Sequence, residues 1–310
     1  MLEQILKSVE YVVNNAKYVH INEERLKEFS YEIETKKNNH WLNSSPYGLM
    51  ELPVDQIVNF LLIYECIDFS FWGDPKWTIE TQEGKEDGSI ALLYILLNYV
   101  KKQKSMDFTN ITLDEFSNLL KGNVTIPLIK ERYHIIQNVS NIVNSKMQGD
   151  FYAFIKNITT DNDLFNVIIE YFPNFQDERC YKGEKIYFYK LAQLLTSDIL
   201  HIRETKEKIK VDYSHLIGCS DYKIPQVMRG LGILEYHKKL ETMVDNKKQL
   251  EENSDFEVEI RASMLVAINQ IKKQLNDQMS AIAINDYIWL QSKNRMISLK
   301  PYHLTRTVNY

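Results

Sequence analysis

The 310-residue chain carries a formal net charge of −5 and a pI near 5.9, with 44% hydrophobic and 25% charged residues, ordinary values for a globular chain able to bury a large core. This balance excludes a protein whose main partner is a long polyanion, because such binding needs a concentrated basic surface, but it is compatible with a local basic pocket for one phosphate. Only 10 Gly and 7 Pro favour long helices over a strand-and-turn architecture, and aromatics at 12%, including 19 Tyr, suffice to line a ligand pocket as well as fill a core.

From Met1 to Ala16, Leu2, Ile5, Leu6, Val9, Val12 and Val13 recur at helical spacing with Glu3, Lys7 and Glu10 between them. This predicts an amphipathic helix docked on a core, not a secretory leader. Three-to-four-residue apolar spacing returns over 54–66, 90–102, 126–146, 162–172, 188–203, 225–239 and 280–292. Thr112-Leu-Asp-Glu115 reads as a capping box opening a helix that Gly122 closes, and Ser254-Asp-Phe-Glu257 as another, opening a helix through Leu275. Between Phe69 and Gly88 the pattern changes: Phe-Ser-Phe-Trp alternates, Gly73-Asp-Pro75 breaks, and Trp77-Thr-Ile-Glu-Thr81 alternates again before Glu83-Gly84. A short hairpin or loop inserted between helices is expected there. The charged stretch Asp245 to Asp255 is expected to be a surface loop. The longest apolar runs, such as Ile90 to Leu97, fall far short of the ~20 residues of a membrane span. Cys66, Cys180 and Cys219 show no CxxC spacing, which predicts buried, reduced thiols and a cytoplasmic protein. The fold class read from these signals is mainly α with a small β-hairpin or loop insertion. Residues 1–310 form a single domain or two helical lobes enclosing a pocket.

Several residues have both a structural and a chemical reading. Asp221 lies just ahead of Ile224-Pro225, where a helix is expected to start, so it can cap that helix or serve as a carboxylate kept ionised by the helix terminus. Lys190 shares a helical stripe with Gln193 and Ser197, opposite Leu191, Leu194, Leu195 and Ile199, and spacing alone makes that stripe an exposed face. Phe69, Phe71 and Trp72 suit core packing or a flat base, and Asp74 before Pro75 suits a turn or the paired donors of a base edge. Arg261 is four residues beyond Glu257 on one helix face, the spacing of an ion pair. His303 and Arg306 stand in a terminal segment with little periodicity. The 7 His form no HxxxH or HxH pattern, so no metal is expected. Without a Walker A, GxGxxG or GxSxG motif, phosphate binding would have to come from side chains.

Phe188-Tyr-Lys-Leu-Ala-Gln193 and Ser220-Asp-Tyr-Lys-Ile-Pro-Gln226 resemble the FYK-x-AQ and ADYR-x-PQ motifs of the queuosine salvage family, the queuosine 5'-phosphate N-glycosylase/hydrolases. The resemblance continues in order through Asp68-Phe-Ser-Phe-Trp-Gly-Asp74, Tyr171-Phe-Pro173, Glu257-Val-Glu-Ile-Arg261, Asp286-Tyr-Ile-Trp289, Pro301-Tyr-His-Leu-Thr-Arg306 and Tyr310. It implies a helical fold related to DNA glycosylases. The implied reaction is cofactor-free hydrolysis of queuosine 5'-phosphate to queuine and ribose 5-phosphate. Asp221 would then stabilise or attack the oxocarbenium-like centre, with Lys190 beside it as a catalytic group. Phe69, Phe71, Trp72 and Asp74 would hold the base, and His303, Arg306 and Lys190 the phosphate, with the terminal segment folded over the pocket. Ser220 and Lys223 replace the family's more usual Ala and Arg. The chain lacks the LPGxGxxxA hairpin of DNA repair enzymes, so no stable nucleic-acid or membrane partner is expected. The alternatives are a non-catalytic 7-deazaguanine nucleotide-binding protein and a nucleic-acid base glycosylase.

Overall fold

A computed structural model describes residues 1–33, 40–82, 84–292 and 299–310; Glu83 of the expected hairpin lies outside the described residues. In chain order the elements are α1 (Leu2–Asn14), β1 (Val19–Ile21), α2 (Glu23–Glu32), α3 (Val54–Glu65), β2 (Thr78–Thr81), β3 (Gly84–Asp87), α4 (Gly88–Gln103), α5 (Leu113–Leu119), α6 (Ile129–Lys146), α7 (Phe151–Ile155) and α8 (Asp161–Tyr171). Then follow β4 (Glu178–Tyr181), β5 (Glu184–Tyr187), α9 (Lys190–Glu207), α10 (Lys223–Gly230), β6 (Leu234–Tyr236), α11 (Lys238–Asp245), α12 (Asp255–Gln274) and α13 (Ala281–Gln291). The expected mainly α fold is observed. The strands form three antiparallel pairs, β1 with β6, β2 with β3 and β4 with β5.

Two helices organise the interior. α12 is buried along nearly its whole length and takes α1 against one side. Leu2, Ile5, Val9 and Val12 of α1 are buried, each contributing about 1.5–3 kcal/mol relative to exposure. Glu259, buried within α12, accepts from the backbone N–H groups of Lys17, Tyr18 and Val19 at 3.0, 2.6 and 3.2 Å. This fixes the turn into β1. The second organiser is α9, which packs on α3 and α8.

The Thr112–Glu115 capping box forms as expected. At the second one, Ser254 Oγ accepts from Glu257 N, but the Glu257 carboxylate accepts from Asn253 N at 3.0 Å and from Arg261 and Tyr310 side chains. A buried cation has diverted it from closing the box. The helix expected over 225–239 is instead α10, a turn, β6 and α11. Gly232 has φ +76°, a conformation that suits glycine and interrupts the helical run. Of the cysteines, Cys66 and Cys219 are buried as expected, while Cys180 is exposed. No helix among the described residues is long and apolar enough to cross a membrane.

The inserted hairpin forms from β2 and β3, whereas residues 69–72 join no strand and Ser70 has φ +43°. The hairpin is held from outside. Trp77 Nε1 donates to Leu120 O at 3.1 Å, and Thr78 exchanges bonds with Asn123 through its N–H at 2.7 Å and its carbonyl at 3.0 Å. Gly122 leaves room for this contact, since a Cβ there would stand 2.5 Å from Thr78 O and 2.6 Å from Trp77 Nε1. Gly122→Ala is therefore expected to destabilise the fold by ~1–3 kcal/mol, read as a lower midpoint in chemical denaturation; an unchanged midpoint would show the hairpin shifts freely.

Candidate active site

The polar stripe of α9 is turned inward. Lys190, Gln193 and Ser197 are all buried, the reverse of the exposed face that spacing alone suggests. Gln193 explains part of this: its Oε1 accepts from the N–H groups of Ile217 and Gly218 at 2.8 and 3.2 Å, and its Nε2 donates to Phe188 O at 2.9 Å. One amide thus ties the start of α9 to the segment leading into Asp221. Tyr189, just before Lys190, has φ +50°, a sparsely populated conformation for a non-glycine residue. Its hydroxyl donates to Glu178 at 2.7 Å, anchoring the ring.

Asp221 does cap α10. Its Oδ1 accepts from Lys223 N at 2.8 Å and Ile224 N at 2.9 Å, leaving Oδ2 without a protein donor among the described residues. Burial pushes its pKa above the ordinary aspartate value, opposed by the Lys190 ammonium and the two backbone amides. Capping and chemistry therefore coexist in one side chain. Lys190 stands 3.5 Å from Asp68; burial disfavours its ammonium, but Asp68 and Asp221 together raise its pKa and keep it cationic.

These groups line a cavity of about 310 Å³ whose walls include Phe69, Phe71, Trp72, Trp41, Asp286 and Tyr310, within the size range of small-ligand sites. The three expected aromatics are thus brought to the site. Arg132 supports two of them from behind, with its guanidinium 4.3 Å from the Phe69 ring centre and 4.8 Å from that of Phe71. Asp74 is exposed and is not among the cavity residues; it occupies the turn before Pro75, and the base-edge role expected of it has no geometric support.

His303 and Arg306 also lie outside the lining. His303 is 1% exposed, and burial with the nearby Arg261 charge lowers its pKa to about 3, so it is neutral at physiological pH. Arg306 stacks over Trp72 at 3.5 Å and donates to Trp72 O at 3.1 Å. Their role in the structure is to hold the terminal segment against the aromatics. Trp72 Nε1 donates to Thr305 O at 3.1 Å and Ser70 N donates to Tyr310 O at 2.9 Å. The terminal segment folds against the site as expected, with Tyr302 and Tyr310 reaching the cavity.

Next to the cavity residues Trp41 and Asp286 is an acidic cluster that linear spacing does not reveal. Trp41 Nε1 donates to Asp198 at 2.8 Å, and His40 Nε2 lies 3.4 Å from the same carboxyl and 4.0 Å from Asp286. Burial and then the Asp198 charge push Glu65 well above the ordinary carboxyl value, and burial and then the Asp286 charge do the same to Asp198. His40 stacks face to face on His201 at 3.7 Å, and burial followed by His201 holds it neutral. Asp68 and Asp286 stand in the segments quoted above and Asp198 in the helix predicted over 188–203, but their convergence depends on α3, α9 and α13 meeting, which linear spacing does not reveal.

Arg261 is fully buried and goes beyond the expected pair with Glu257 at 3.2 Å. It also pairs with Asp177 and donates through Nε to Ser220 O at 3.1 Å. Its guanidinium lies 4.0 Å from the Phe188 ring centre and 4.1 Å from that of Tyr310. Asp177 O in turn accepts from Phe188 N at 2.9 Å, so one cation joins the segments that carry Lys190, Asp221 and the terminal tyrosine.

Burial raises the Asp286 pKa to about 7, against an unfolded value of about 3.9. The folded state therefore retains a proton that the unfolded state has lost, and the stability this confers at low pH is lost as pH rises through 7. Asp286→Asn has no such proton to lose. Its melting temperature is expected to gain on the wild type between pH 4 and pH 8 in thermal scans; a difference constant with pH would contradict the assignment.

Residues 50–310 match the family model described as "Queuosine salvage protein". Among curated relatives, the chain is 28% identical over 265 residues to the queuosine 5'-phosphate N-glycosylase/hydrolase of Sphaerobacter thermophilus, covering 83% of this chain and 82% of that protein. It is 27% identical over 302 residues to the protein of the same name from Bos taurus, covering 90% and 87%. The Mus musculus protein of that name is 23% identical, with 98% of both chains covered.

Proposed function

The chain belongs to the queuosine salvage family, and on that premise we propose that it hydrolyses the N-glycosidic bond of queuosine 5'-phosphate, releasing queuine and ribose 5-phosphate. The observation that carries this reading is a half-buried carboxylate with one engaged and one free oxygen beside a buried ammonium, both lining an aromatic cavity.

The base enters towards the acidic end. A 7-deazaguanine presents an exocyclic amine and a ring N–H on one edge, and Asp286 is a carboxylate suited to accept from them. Such donors favour its ionised form, offsetting burial. Phe69, Phe71 and Trp72 supply flat apolar walls. The ribose then lies at Asp221. As the bond from C1' to the base nitrogen breaks, its electron pair leaves with the base and positive charge builds on C1' and the ring oxygen. Asp221 Oδ2 stabilises that charge in a site where burial weakens screening. Water supplies the new C1'–OH group, which keeps one of its protons, while the other passes to the nitrogen of the departing base, so the reaction needs no other reactant. Lys190 keeps Asp68 and Asp221 apart and aligned, which holds Asp221 in place through the charge change.

Asp221→Asn keeps the size and the Oδ1 cap but removes the charge. Turnover of queuosine 5'-phosphate is expected to fall at least ~10²-fold, with ligand affinity changed far less. Chromatography of released queuine, paired with calorimetric titration, separates the outcomes. Parallel loss of binding and turnover would point to a structural cap, and absence of release by the wild type would favour a nucleotide-binding protein.

A further inference from the structure

Glu65, Asp198, His40 and His201 are buried beside the cavity without lining it, and the proposed reaction uses none of them. Their polar contacts nevertheless converge on two residues that do line it, Trp41 and Asp286. Asp198 is the hub. One of its carboxylate oxygens accepts from Trp41 Nε1 at 2.8 Å, and the other lies 3.4 Å from His40 Nε2. His40 Nδ1 accepts from Leu42 N at 3.3 Å, so the neutral ring carries its proton on Nε2, directed at Asp198 and, at 4.0 Å, Asp286. His201 stacks on that ring with an interplanar angle of 3° and pairs through Nε2 with Asn43 Oδ1 at 2.8 Å. Burial lowers both imidazoles and keeps the stack uncharged. Glu65 is fully buried, and neither of its oxygens meets a hydrogen-bond donor among the described residues. An ionised carboxylate there would be uncompensated, so Glu65 is the neutral acid. Its O–H serves Asp198, an interaction that raises Glu65 and lowers Asp198.

Resting on the proposed reaction, we propose that Asp198 is a positioning residue for the base: a single anion that receives the Trp41 indole, the His40 ring and the neutral acid of Glu65, and thereby holds Trp41 and Asp286 against the departing heterocycle. The link to Asp286 is double, since the Trp41 backbone N–H also serves the Asp286 carboxyl. The placement follows from α9. That helix begins at Lys190, which faces Asp221, and Asp198 lies about 12 Å further along the same axis. One rigid element therefore sets the spacing between the carboxylate at C1' and the residues beside the base. Asp198 itself is 1% exposed, so it acts through Trp41 and Asp286 and does not meet the substrate.

Calorimetric titration of queuine tests this without turnover. Asp198→Asn keeps the size but turns an amide NH2 towards the N–H of Trp41 or His40. Queuine affinity is expected to fall about 10-fold, while affinity for ribose 5-phosphate, which has no base, is retained. With queuosine 5'-phosphate the loss is expected in KM, with kcat changed far less. Glu65→Leu removes the neutral donor and is expected to weaken queuine binding similarly, and Glu65→Gln, which offers an N–H in place of the O–H, to restore most of it. Asp198→Asn added to Trp41→Phe is expected to cost much less than in the wild type. In NMR spectra of the unliganded protein, the Trp41 indole N–H, identified by its absence from Trp41→Phe, is expected to move upfield in Asp198→Asn and to stay in place in Glu65→Gln. An unmoved indole resonance in Asp198→Asn, equal losses of queuine and ribose 5-phosphate affinity, or a Glu65→Gln protein as impaired as Glu65→Leu would overturn the assignment. Failure of the wild type to bind queuine counts instead against the proposed reaction, while the indole resonance still decides whether Asp198 holds Trp41.

Discussion

The guanidinium of Arg261 is the interaction on which the site depends. Burying a cation costs several kcal/mol unless it is paired and hydrogen-bonded, and here Asp177, Glu257 and the Ser220 carbonyl receive it while Phe188 and Tyr310 cover its faces. Arg179 adds a second cation to the same carboxylates, 3.2 Å from Asp177 and 3.3 Å from Glu257. A buried network of this kind is weak evidence of net stability, but breaking it by removing one member costs roughly 3–5 kcal/mol. Its value is positional. Four segments distant in sequence meet at one side chain, and two of them place Lys190 and Asp221.

Given that frame, Asp286, the Lys190 ammonium between Asp68 and Asp221, and the aromatic walls line one cavity, and the proposed reaction uses them for hydrogen-bond donors, developing positive charge and a flat base respectively. The acidic end is costly. Glu65, Asp198 and Asp286 are all pushed upward by burial, so gathering them here costs stability. Trading stability for a poised site is a common feature of enzymes. Lys190 reduces the cost at the waist, where its charge opposes the burial penalty on Asp221.

Local signals in the sequence were read most reliably. Apolar spacing located α1, α3, α4, α6, α8, α9, α12 and α13 because each helix buries one continuous stripe or more. The capping chemistry of Thr112 located the start of α5. Three-residue strands escaped notice: β1 and β6 pair Val19–Ile21 with Leu234–Tyr236, and neither is long enough to show alternation. The Lys190 stripe misled because a polar helical face is normally solvated, whereas here it is satisfied internally by Asp68, by Asp221 and through Gln193. His303 and Arg306 carry the right functional groups for an anion, but burial removes the charge of one and aromatic stacking engages the other. Lys223 stands in a quoted motif while Lys76 gives no signal of its own, because single lysines are usual on any surface, and only the closure of hairpin, α4 and α10 around one cavity brings these two together. Asp286 opens a quoted motif and Asp198 falls within the helix predicted over 188–203, yet their partnership with Glu65 and His40 exists only in three dimensions.

The central claim is an orientation within the cavity: base beside Asp286 and C1' at Asp221. A crystal structure of the Asp221→Asn protein with queuosine 5'-phosphate bound tests it most directly. The account predicts the deazaguanine edge against Asp286 and C1' facing residue 221. A ligand bound in the reverse sense, or outside this cavity, would contradict it.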